Sequence, residues 1–451
     1  MKAKLPEFGR TYLALALAAG FVAYLYLVES KRESGPDKDK EKVFALDKTK
    51  VRELTLQPAE GEKIRVFKEG DAWRMAEPQA APADGGECDS LVSALETLRI
   101  DEVVTESPAS LADFGLDKPK VTIGVLAEGA KEPLKLSLGD KLPDGGGVYA
   151  TLPPAPRVFA IPAYVVSTFE KKPFDLRDRS LLHVKRDQVK TLEVKGPDGA
   201  YALARDERGE WGFTRPLATR AGRWTVDGLL GTLENLRMES VAEEEAKDLK
   251  RFGLDAPART VILGLADGSA RRLEIGGPAG EKKYNAREAS SSLVAVIPAA
   301  IVEDLAKGMK EYRAKRLLEV AAYDVEGFEV EEGGAKRAFA KTKDKDKEGL
   351  ETSKWKRTSP DAKDLETSKV EDALFKLGGI EVQDFVDEPK EAAAYGLDAP
   401  VFKLSLRFSP GKPGQTVEVG RKGDAVYARR TSDAAVLKLE AAKAEELIKA
   451  L

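Results

Sequence analysis

The chain has 451 residues, 73 basic against 77 acidic side chains and a formal net charge of −4, so no global positive field would hold nucleic acid. One cysteine, Cys88, and one histidine, His183, exclude an intrachain disulfide, leave few ligands for a zinc site and supply no Cys-His apparatus. The length suits about three domains of ordinary size.

In chain order, residues 1–10 carry Lys2, Lys4 and Arg10, and Tyr12–Val28 comes next without a charge. A helix of that length rises about 25 Å, close to the hydrocarbon thickness once Tyr24, Tyr26 and flanking charges reach the interface. Residues 11–28 are therefore expected to form a transmembrane signal-anchor helix behind a cytoplasmic N-terminus. A cleaved signal peptide is the rival, since Ala16-Leu17-Ala18 has the small-x-small form, but apolar residues continue to Val28. The positive-inside rule places the chain beyond Val28 outside the cytoplasm, although Lys31 and Arg32 weaken the bias. Residues 29–42 are charged, contain Gly35-Pro36 and lack apolar periodicity, as a solvated tether would.

Beyond the tether one unit returns three times, at 43–182, 183–318 and 319–451. Each copy opens on a strand-like run (Val51-x-x-Leu54-x-Leu56, Val189-x-x-Leu192-x-Val194, Val325-x-x-Phe328-x-Val330) and continues into a strand holding Trp73, Trp211 or Trp355. Helices with apolar residues at three- and four-residue steps are predicted over Asp89–Leu98, Val226–Leu236 and Val370–Leu377. Then comes the most specific phrase: Phe114-Gly115-Leu116-Asp117 before Pro119, Phe252-Gly253-Leu254-Asp255 before Pro257, and Tyr395-Gly396-Leu397-Asp398 before Pro400. Alternating runs, a turn at Leu138-Gly139, Ile275-Gly276 or Val419-Gly420, strands around Tyr149, Tyr284 and Tyr427, a last strand and a closing helix complete the unit. The pattern reads as α+β: three tandem repeats of a strand-rich, mostly antiparallel module with packed helices. The junctions Phe174–Leu182 and Tyr312–Leu318 resemble one another and imply that neighbouring modules touch.

The phrase reads as a stop signal with an anchor. Glycine after a helix supplies a left-handed terminating residue, neighbouring apolar residues pack back, and proline forbids continuation. An active-site loop using Asp117, Asp255 and Asp398 as acids lacks any partner repeated beside them. His183 has no counterpart in the other copies and reads as a surface or junction residue. The alternating carboxylates from Asp344 lack the later glutamate of a calcium loop and read as a hairpin insertion, and Asp144-Gly145-Gly146-Gly147 lacks the Lys-Ser/Thr of a phosphate loop.

The tryptophan strand, the helix, the (Phe/Tyr)-Gly-Leu-Asp-x-Pro phrase and the later tyrosine strand resemble the bacterial family called domain of unknown function 4340, over nearly all of the chain beyond the tether. Copy three departs with Tyr395 for Phe and Glu440 in the place of Pro162 or Pro298. Members are usually exported or membrane-anchored, and many resemble in gene setting the accessory parts of ABC-type transport systems, including those of gliding motility. The resemblance implies a location at the inner membrane with the modules outside the cytoplasm, envelope or transporter proteins as partners, and no catalytic, cofactor or metal residues. Repetition favours a non-enzymatic scaffold of binding modules. An envelope hydrolase and a small-ligand or polysaccharide-binding component are the alternatives.

Overall fold

A computed structural model describes residues 40–345, 351–431 and 433–450. The predicted anchor Tyr12–Val28, the N-terminus 1–10 and residues 29–39 of the tether lie outside the described residues. No described helix is long and apolar enough to cross a membrane. The chain divides into two compact units, Met1–Arg179 and Ser180–Leu451.

Among the described residues the first unit is one antiparallel sheet with two α-helices. Its strands are β1 (Val51–Pro58), β2 (Ile64–Glu69), β3 (Ala72–Glu77), β4 (Ala81–Pro82), β5 (Glu102–Thr105), β6 (Val121–Ala127), β7 (Leu134–Lys141), β8 (Gly147–Thr151) and β9 (Val158–Pro162), with α1 (Gly85–Thr97) and α2 (Tyr164–Phe169). The spatial order is β4-β3-β2-β1-β6-β7-β8-β9-β5. Period-two alternation explains which face is covered: Leu54 and Leu56, Ile64 and Val66, Val121, Ile123 and Val125, and Leu136 and Leu138 are buried. Helix α1 answers with Cys88, Leu91, Val92 and Leu95, one stripe of a 3.6-residue period. Burying each leucine side chain contributes about 1.5–3 kcal/mol.

The second unit holds the other two sheets. One has β10 (Val189–Gly196), β11 (Gly199–Arg205), β12 (Trp211–Arg215), β13 (Thr219–Arg220), β14 (Ser240–Glu243), β15 (Arg259–Leu265), β16 (Ala270–Pro278), β17 (Lys283–Glu288) and β18 (Val294–Pro298), with α3 (Arg223–Glu234), α4 (Ala299–Ala306) and α5 (Gly308–Tyr312). The other has β19 (Val325–Glu332), β20 (Ala335–Lys345), β21 (Glu351–Ser359), β22 (Lys363–Leu365), β23 (Asp384–Val386), β24 (Phe402–Phe408), β25 (Gln415–Lys422), β26 (Ala425–Arg430) and β27 (Val436–Leu439), with α6 (Thr367–Gly378) and α7 (Ala441–Ala450). Both repeat the strand order of the first sheet. Helix α3 buries Val226, Leu229, Leu230 and Leu233, and α6 buries Val370, Ala373, Leu374 and Leu377, the same spacing as α1.

The structure corrects two sequence expectations. The Leu138-Gly139, Ile275-Gly276 and Val419-Gly420 pairs are not turns; they lie inside β7, β16 and β25. Nor does the Gly-Leu-Asp phrase end the amphipathic helix, because a short edge strand, β5, β14 or β23, intervenes. It ends a separate 3-10 turn at Ala112–Phe114, Leu249–Phe252 or Ala392–Tyr395. The charged tract from Asp344 continues a hairpin, with Asp344 opposite Thr352 and Lys345 opposite Glu351; residues 346–350 lie outside the described residues.

The junction of the last two sheets is strapped on both sides. The Ala314 amide donates to the Arg220 carbonyl at 3.0 Å, Leu317 to Ile380 at 2.8 Å, and Val382 to Lys315 at 2.7 Å. Arg430, buried on β26, donates to the Ala314 and Arg316 carbonyls and pairs at 2.7 Å with Asp433, whose side chain is fully buried. Burial pulls the Arg430 guanidinium below its ordinary pKa, with Asp433 opposing that shift.

Candidate functional site

The phrase residues resolve into packing roles. Gly115, Gly253 and Gly396 have φ of 64°, 65° and 66°, the left-handed conformation that glycine adopts without penalty. The next residue, Leu116, Leu254 or Leu397, is buried, whereas Asp117, Asp255 and Asp398 are exposed. Phe114 meets Tyr149 edge-on at 5.0 Å and Tyr395 meets Tyr427 likewise at 5.0 Å, which accounts for the tyrosine of that strand in the first and third copies. A side chain on Gly139, Gly276 or Gly420 would collide with the carbonyl of Phe114, Phe252 or Tyr395. Glycine within a strand there marks close approach of a second backbone.

The three repeat tryptophans are buried. Trp73 lies under Lys68, 5.0 Å from the ring centroid, and its indole N–H donates to Asp89 at 2.8 Å. Trp211 lies under Arg205 at 5.1 Å, and Arg205 reaches Asp227 at 3.6 Å. Trp355 instead packs on Phe328 at 5.5 Å. These are cores, not sites.

A cleft of about 1070 Å³ opens within the second unit, between the β13–α3 corner, the junction 311–324 and the loop from Phe408 to Gln415. Two large aromatics stand exposed on its walls, Trp224 at 81% and Tyr323 at 77%. Trp224 occupies the first turn of α3, beside Arg223, whose guanidinium is 5.7 Å from the ring. The chain turns there through Gly222, where a Cβ would press on Thr225 and on the Arg313 carbonyl. Most lining carboxylates are committed to cations: Glu319 to Arg220 at 2.8 Å, Glu311 to Lys315 at 3.1 Å, Glu210 to Arg223 at 3.9 Å, and Asp324 to Lys412. Gln415 accepts from the Glu319 amide at 3.2 Å and donates to its carbonyl at 3.0 Å. Beneath them, buried Arg313 pairs with Asp387 and lies 4.6 Å over the Phe385 ring. Arg208 and Arg316 line the cleft, are exposed, and hold no ion pair among the described residues.

The model of a family described as Domain of unknown function (DUF4340) matches residues 73–220, 211–400 and 355–451. The chain belongs to the DUF4340 family. Each match begins on a repeat tryptophan, so the DUF4340 phase starts at the third strand of one sheet rather than at its first. No curated protein matches the chain. Among solved structures, a DNA polymerase sliding clamp from Pseudomonas aeruginosa with ligand is 7% identical, over 89% of this chain and 94% of that one, at a TM-score of 0.15. A DNA polymerase III subunit beta from the same organism is 8% identical, over 88% of this chain and 94% of that one, also at 0.15. A TM-score of that size carries no structural argument.

Within the DUF4340 frame, sequence reasoning placed the repeat residues and overlooked the cleft. Trp224 was findable: of four tryptophans, three keep the repeat register and it does not. Tyr323, Arg208 and Arg316 carry no such signal. His183 is exposed at the entry to the second sheet with φ of 48°. No group of three or more potential metal ligands occurs among the described residues.

Proposed function

We propose that this DUF4340 chain is a non-enzymatic receptor and scaffold of the bacterial envelope. It is held in the inner membrane by Tyr12–Val28, with its modules outside the cytoplasm, as an accessory component of an ABC-type transport or gliding-related complex. The observation that carries the binding role is the pair Trp224 and Tyr323, left 81% and 77% exposed in a cleft. Concave surfaces with exposed aromatic anchors are where ligands and partner side chains are received. Ion pairs at Glu319, Asp324 and Glu311 further support binding over acid–base work, since a general base must be free to reach the proton it takes from its substrate. The charge distribution around Tyr12–Val28 supports the membrane placement.

Capture from detergent-solubilised membranes tests the role: the full chain should retain an envelope partner that a Trp224→Ala chain releases. Retention of every partner by that variant would remove the cleft from the function. Alkaline phosphatase fused after Leu451 should be active, and an inactive fusion would reverse the topology.

A further inference from the structure

We propose that the cleft of the second unit takes an acidic oligosaccharide, with sugar rings lying on Trp224 and Tyr323 and a sugar carboxylate on Arg208 or Arg316. The inference rests on reading the cleft as a receptor site, and it names the ligand class.

Size is the first argument. A cavity of about 1070 Å³ lies just above the roughly 300–1,000 Å³ of small-molecule sites, room for several sugar units. The walls are the second. A pyranose ring has a face of C–H bonds and a rim of hydroxyls; the face suits the negative surface of an aromatic ring, and the rim suits mixed donors and acceptors. The cleft pairs those two needs, exposed Trp224 and Tyr323 beside Gln415, Glu381 and arginines. A lipid chain would need continuous apolar walls, which the alternating charges deny.

Charge is the third. Seven cations and five acids line the cleft. Five of those cations are tied: Arg220, Arg223, Lys315 and Lys412 to cleft acids, and Arg313 to Asp387. Arg208 and Arg316 remain, two forked donors suited to carboxylates spaced along a chain. A polyphosphate strand would call for a continuous basic track rather than two isolated guanidiniums.

Isothermal titration of the full chain in detergent, with a galacturonate hexasaccharide against neutral maltohexaose, tests the proposal. The acidic sugar should bind and the neutral one should bind at least about tenfold more weakly, the loss expected when charge-assisted hydrogen bonds are removed. Trp224→Ala should weaken galacturonate binding about tenfold or more, and the Arg208→Gln, Arg316→Gln double variant should erase the acidic preference and flatten the salt dependence. All three positions are exposed, so the variants keep the fold. Equal affinity for both sugars, or unchanged binding by Trp224→Ala, overturns the proposal. So does absence of binding to galacturonate, guluronate and glucuronate hexasaccharides at millimolar concentration. In that last case a membrane partner still released by Trp224→Ala leaves the receptor role standing, and a partner indifferent to Trp224 removes both.

Discussion

The same corner of the fold is finished differently in the first and second repeats. At the start of α1, Asp84 caps the helix, its carboxylate accepting from the Gly86 and Glu87 amides at 3.0 and 3.2 Å. At the start of α3, Gly222 offers no side chain, the Arg313 carbonyl comes close, and an arginine and a tryptophan lead into the cleft. Both corners meet the junction segment that follows, the Asp84 amide donating to the Leu176 carbonyl at 2.9 Å and the Gly222 amide to the Tyr312 carbonyl at 2.7 Å, but only the first carries a side-chain cap. The difference teaches that one frame accepts two finishes at the same corner, a carboxylate cap in the first copy and an exposed arginine–tryptophan pair in the second.

Arg430→Ala should break the second arrangement most severely. It removes the grip on the Ala314 and Arg316 carbonyls and leaves Asp433 buried without its cation, costing about 3–5 kcal/mol. Denaturant melting should show this in the unit from Ser180 while the first unit is unchanged; a first unit equally weakened would contradict their independence. Gly139→Val and Gly276→Val should each cost about 1–3 kcal/mol in their own unit, because the new side chain meets a backbone carbonyl. Similar losses would establish the common frame, and a loss in only one would break it. Asp84→Ala should cost about 1 kcal/mol by removing a helix cap. Gly222→Ala, with no cap to lose, should destabilise only through contact with Thr225 and Arg313.

The smallest effect concerns Cys88, which stands where the other copies have Val226 and Val370. Burial, aided by Asp84, pushes its thiol from 9.0 up to about 12. The folded state therefore holds its proton longer than the unfolded chain. Stability of the first unit should be level below the ordinary thiol value of 9.0 and fall as pH rises from there toward 12. Cys88→Val should flatten that fall and change stability little at neutral pH; an undiminished fall would locate the titration elsewhere.

Much of the frame was legible in the sequence because its signals are local. The left-handed glycines announce themselves by Gly before Leu-Asp-x-Pro, and the helix stripes by their spacing. Gly139 misled because a Leu-Gly pair looks like a turn, while its real reason, the Phe114 carbonyl, comes from 25 residues away in the chain. Strand β5 was missed because Glu102–Thr105 is only four residues long, too short for a period. The cleft was invisible because its residues come from five separate stretches of chain, at 208–210, 220–225, 311–324, 381 and 408–415.

The edges of these sheets bear on how such a chain survives synthesis. Neighbours with the same strand order in one polypeptide invite strands of one copy to pair with another before each has closed. Here the outermost strands are stubs: β4 is two residues with Pro82, β13 is two, and β22 is three carrying Lys363 and Asp364. The opposite rims, β5, β14 and β23, run three or four residues and carry Glu102, Glu243 or Asp384. Short, charged or proline-bearing margins give little template for swapping or aggregation, so three copies of one sheet can share a chain without annealing into one another.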